Sequence, residues 1–145
     1  MKLILDDLIN EELKDYLLTQ IGITDVEFNK ENRLTTLDIK YNEKTTPWII
    51  MKYIELFQKN EYSILFGFDK STIGDFKVLK YTIDDMCCDY CYRKLVMDLF
   101  ENENIKSVKS NFDFNIPAFN IEFIIKYDEK YKEEDLIKYI KEIYS

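Results

Sequence analysis

Every cysteine of the chain lies in one short stretch, Met86-Cys87-Cys88-Asp89-Tyr90-Cys91, and there is no histidine anywhere. Thiols and carboxylates are therefore the strong metal ligands available. An extended apolar segment, Phe76 to Ile83, precedes the cluster, and a helical pattern from about Cys91 to Phe100 follows it. Cys88 and Cys91 then stand at i and i+3 across a strand-to-helix turn. Two thiolates so spaced can reach one ion without backbone strain. The free amides and positive dipole end of a helix N-terminus favour thiolate over thiol. Soft sulfur selects Cu(I), with Zn(II) or Cd(II) next. Cys87 is a candidate third thiolate, although strand alternation should point it away from Cys88. Met86 is expected to pack beneath the loop as a gap filler.

Asp84, Asp85 and Asp89 surround the thiols. Their negative charge raises thiol pKa, which argues against a strong nucleophile, and it attracts a cation. An exchanging Cys88–Cys91 dithiol is a second reading, without a nearby proline or tryptophan to support it. A third is that the cysteines are core residues, because Cys91 falls on the apolar face of its helix. Hydrolytic or transferase chemistry finds no support. The chain offers no histidine base, no glycine-rich phosphate loop and no nucleophile elbow, so no enzymatic activity is expected. Paired acids such as Asp6-Asp7 and Glu133-Glu134-Asp135 sit near expected helix starts, where they suit the helix dipole.

Each half of the chain reads β-α-β-β-α. In the first, Lys2 to Leu5 is a strand, and Asn10 caps a helix with Leu13, Leu17 and Ile21 on one face, ended by Gly22. Ile23 to Phe28 and Leu34 to Tyr41 make a hairpin. Thr46-Pro47 opens a helix with an apolar stripe of Trp48, Met51, Ile54 and Phe57. Ser63 to Phe68 is a further strand, and the boundary falls near Gly74. The second half repeats the order with strands Phe76 to Asp84, Ile105 to Phe112 and Phe119 to Tyr127. Its helices are marked by Cys91, Leu95 and Leu99, then by Leu136, Ile137, Ile140 and Ile143.

The repetition is also visible residue by residue. Ile39-Lys40-Tyr41-Asn42-Glu43-Lys44 recurs as Ile125-Lys126-Tyr127-Asp128-Glu129-Lys130, and Lys52-Tyr53-Ile54 as Lys138-Tyr139-Ile140, both at an offset of 86. Leu5-Asp6-Asp7-Leu8 matches Ile83-Asp84-Asp85-Met86 at an offset of 78, which leaves eight extra residues in the second copy. The loop around Asn111 to Phe114 is expected to hold most of them. The expected organisation is residues 1–72 and residues 73–145, an α+β fold on the split βαβ plan with two helices over one face of each antiparallel sheet. The second half lacks its last strand. Its sheet edge stays open unless the Ser63–Phe68 strand, the other half or a second molecule covers it.

The Met86–Cys91 segment in this frame resembles the heavy-metal-associated domains of copper chaperones and metal-transporting P-type ATPases, whose motif is M-x-C-x-x-C at the same turn. The resemblance implies two tandem ferredoxin-like units. Cys88 and Cys91 would bind Cu(I), or sometimes Zn(II) or Cd(II), for transfer to a partner such as a metal-transporting ATPase. Asp85 stands where the family commonly has glycine. The first half, with Leu8, Ile9, Asn10 and Leu13 at the matching positions, looks like a degenerate copy serving as scaffold or docking surface.

Composition narrows the field further. The formal charge is −8, with 9 basic and 13 acidic side chains in residues 1–72 and 11 and 15 in residues 73–145. No basic patch suits phosphate contacts, so nucleic acid is not an expected partner. The longest apolar runs fall short of a membrane span, and the acidic N-terminus does not read as a secretory signal. The lone cysteine cluster makes a poor disulfide framework, which points to a reducing cytoplasm. Two functions follow. One is soft-metal binding as a chaperone, buffer or sensor; the other is a non-catalytic interaction module, a homodimer through the open edge included, in which the cysteines are incidental.

Overall fold

The computed structural model describes residues 1–6, 9–31, 33–58, 65–86, 89–113 and 120–144. Eleven elements follow in order: β1 (Lys2–Asp6), α1 (Glu12–Leu18), β2 (Ile23–Glu31), β3 (Leu34–Tyr41), α2 (Pro47–Gln58), β4 (Leu65–Asp69), β5 (Phe76–Ile83), α3 (Asp89–Glu101), β6 (Ile105–Ser110), β7 (Ile121–Asp128) and α4 (Glu133–Ile143). The fold is α+β with four helices and antiparallel pairing throughout.

The expectation of two sheets is corrected. The strands form one seven-stranded sheet in the order β2-β3-β1-β4-β6-β7-β5. The join is between β4 and β6, where Phe68 faces Val108 and Asp69 faces Ser107. A row of cross-strand neighbours, Phe28, Leu37, Leu3, Phe68, Val108, Ile125 and Leu79, runs from one edge to the other. All but Phe28 are buried. Because side chains alternate along a strand, one unbroken apolar face results, and the helices cover it. Seen one position along, the other face carries Glu27, Asp38, Lys2, Asp69 and Lys126.

Local chemistry explains the elements. The Asn10 Oδ1 accepts the Glu12 amide at 2.9 Å, as expected of a cap, and the Thr46 Oγ1 accepts the Ile49 amide at 3.3 Å, so both side chains satisfy first-turn donors. Gly22 has φ of +88°, and a Cβ there would lie 2.8 Å from Thr45. Only glycine fits that turn. Two expected stripe positions are exposed instead. The α1 helix ends at Leu18, leaving Ile21 beyond it, and Trp48 points outward under the Lys52 ammonium, 5.3 Å from its ring centroid.

The ladder registers of the two halves match at constant offsets. Leu3 pairs with Leu37, and Tyr81 with Phe123. Ile23 pairs with Tyr41 and Ile105 with Tyr127, each just before the same irregularity. The offsets are thus 78 for β1 to β5, 82 for β2 to β6 and 86 for β3 to β7. Four extra residues fall between β5 and β6 and four between β6 and β7, so the loop beyond Ser110 holds only half of the excess. The rest lengthens the α3 segment.

Candidate functional site

The turn after β5 descends through the exposed Asp84 and Asp85 to Met86, which is buried as expected of a gap filler. Cys87 and Cys88 lie outside the described residues. The α3 helix begins at Asp89, which puts Cys91 in its first turn, half-buried and packed against the core. That is the position the spacing requires, beside amides with no intrahelical partner. Among the described residues, no three Cys, Asp or Glu side chains gather where a metal ion could be held. A soft-ion site here would therefore need the thiols of Cys87 or Cys88 together with Cys91.

The neighbours of Cys91 fix its helix firmly. The buried Tyr92 hydroxyl donates to the Phe66 carbonyl at 2.7 Å and is hydrogen-bonded to Ser110 Oγ. Its ring stacks on Phe112 and Phe123 with centroids 4.5 and 5.5 Å away. Burial pushes the Tyr92 phenol up to about 12, against the opposing effect of its Ser110 hydrogen bond. At the next position, the Arg93 guanidinium pairs with Asp6 at 3.0 Å and reaches Asp89 at 3.9 Å, and its Cζ lies 5.6 Å from the Phe66 ring centroid. Asp6 ends β1, so the arginine ties the start of the cysteine-bearing helix to the equivalent turn of the first half. Sequence reasoning passed over Tyr92 and Arg93. The one available signal was rarity, because Arg93 is one of two arginines in the chain.

No protein-family profile matches the chain, and no curated protein matches it. Among solved structures it is similar to the solution structure of the N-terminal soluble domains of Bacillus subtilis CopA. That likeness has 14% identity, covers 99% of this chain and 88% of that chain, and has a TM-score of 0.38. A likeness so low carries no argument about fold or function, which rest on the residues.

The corrected offset changes which first-half residue corresponds to Cys91. Helix positions follow the offset of 82, since Leu13 and Leu95, and Leu17 and Leu99, are the paired buried residues. Cys91 then corresponds to Ile9 rather than Leu13, and Ile9 is buried. The site position is an apolar anchor in one copy and a half-buried thiol in the other. Among the described residues, no helix is long and apolar enough to cross a membrane.

Proposed function

We propose that the chain binds a soft metal ion through Cys88 and Cys91, with Cys87 as a candidate third ligand, and acts as a metal chaperone, buffer or sensor in the cytoplasm. Cu(I) is the first expectation and Zn(II) or Cd(II) the next, on the softness of thiolate. Residues 73–145 carry the site and residues 1–72 act as a cysteine-free scaffold, each a ferredoxin-like unit of the heavy-metal-associated kind. The observation that carries the reading is the half-buried Cys91 in the first turn of α3, directly after a strand-to-helix turn. Met86 supports the turn from below, and Asp85 and Asp89 supply a cation-attracting rim without being ligands. A delivery partner, such as a metal-transporting ATPase, would take the ion by thiol exchange at the same turn. No catalytic role is assigned.

The test is an anaerobic titration of reduced protein with Cu(I) against a chromophoric chelator. Wild type is expected to bind one ion and Cys88→Ser/Cys91→Ser none, with Cys87→Ser close to wild type. Equal binding by the double variant removes the reading. A second reading, association through the open sheet edge with incidental cysteines, is favoured by β5, which pairs with β7 alone among the described residues.

A further inference from the structure

In the first half, β1 is flanked by β3 on one side and β4 on the other. Its counterpart β5 pairs with β7 alone among the described residues. The last helix of each half registers the difference. Met51 of α2 is 2% exposed. At the same offset of 86, Ile137 of α4 is only half-buried. On the opposite face of β5, Phe76 and Val78 are 50% and 52% exposed. Among the described residues, no strand stands beside β5 where β4 stands beside β1.

We propose that this edge is filled by the β5 of a second copy, paired antiparallel about a twofold axis at Leu79. The proposal deepens the association reading and is independent of the metal site. Topology selects the occupant. Seven strands that alternate in direction leave the two edge strands, β2 and β5, running the same way. A second copy that keeps its helices on the same side and offers β2 would pair in parallel, unlike every ladder in this sheet. A twofold axis normal to the sheet instead sets β5 antiparallel to β5 and continues the apolar face.

Charge points the same way. β5 carries Lys77 and Lys80 and no acid. With Leu79 facing Leu79, Val78 faces Lys80, Lys77 faces Tyr81 and Phe76 faces Thr82, so no like charges stand opposite each other. Lys77 of the second copy then ends beside an open depression of about 440 Å³ lined by Tyr81, Ile83, Asp84, Asp85 and Tyr144. Its acidic rim suits an ammonium. The basic start of each β5 meets the acidic end of the other, which is the self-complementarity an isologous pair needs.

The test is sedimentation equilibrium of the metal-free Cys88→Ser/Cys91→Ser protein at moderate salt, which screens the repulsion between two chains of charge −8. A reversible dimer is expected. Val78→Lys, at an exposed position that leaves the monomer fold intact by circular dichroism, sets Lys against Lys80 twice and should weaken the dimer at least tenfold. Val78→Lys/Lys80→Glu should restore it, and Val78→Glu should bind at least as tightly as valine. A monomer at every concentration up to about 1 mM overturns both this pairing and the association reading. A dimer indifferent to Val78→Lys overturns the pairing and leaves association by another surface.

Discussion

Lys70 is the residue most out of place by type. It is 6% exposed, and its ammonium donates to the Asn102 carbonyl at 3.1 Å and lies 5.6 and 4.8 Å from the Phe68 and Phe100 ring centroids. Burial, reinforced by nearby Lys106, lowers its pKa from 10.5 to about 8. The folded protein therefore releases this proton at lower pH than the unfolded chain does. Between pH 8 and 10 the unfolded state binds more protons, so stability rises with pH. Lys70→Met should remove a pH-dependent gain on the order of 2 kcal/mol over that range, read as the difference between wild-type and variant urea unfolding. A difference that stays constant with pH would contradict the assignment. Burial also raises Tyr92 and Tyr139 to about 12. Above pH 10 the unfolded tyrosines ionise first and the stability of both proteins falls.

At the scale of elements, α3 serves two tasks: it presents Cys91 at its start and covers the β4–β6 join along its length. Tyr92→Phe removes the hydroxyl from the Phe66 carbonyl and Ser110. It should cost about 1–2 kcal/mol in unfolding free energy while leaving metal stoichiometry unchanged. Loss of metal binding alone, with stability intact, would assign Tyr92 to the site rather than to packing. Most elements were legible in the sequence because apolar period, caps and breakers agree locally, as at Asn10, Gly22 and Thr46-Pro47. The parallel order of elements in the two halves was legible because their ladder registers match. The side of Trp48 was not, since a first-turn aromatic fits an apolar stripe and an outward cation–π contact equally well. Of the candidate site residues, the burial of Met86 and the place of Cys91 at the start of α3 were legible in the sequence, and residues 87 and 88 lie outside the described residues.

For the whole molecule, the single sheet is what sequence patterns could not show. A strand's alternation tells which face is buried but not which neighbour lies beside it. The Phe68–Val108 and Asp69–Ser107 pairs, like the Arg93–Asp6 bridge across 87 positions, are set by packing between the halves. Gly67 permits this approach, since a Cβ there would lie 3.2 Å from the Val108 carbonyl oxygen. Gly67→Ala should destabilise the join. Across it the Lys70 amide donates to the Lys106 carbonyl at 2.9 Å. In native-state hydrogen exchange that amide should open with a smaller free energy than the β1–β3 amides, which report global unfolding. Equal values would make the sheet one cooperative unit.

The β4–β6 ladder is short, whereas the β1–β3 and β5–β7 ladders run the length of their strands. Under load, the molecule is expected to part along this line, between two leaves, before either leaf unravels. The tyrosine hydroxyl, the guanidinium and the ammonium that cross this line are its rivets, and all three lie on or against the helix that carries Cys91. A pull on the first leaf would reach the helix that carries the thiol as directly as it reaches β6.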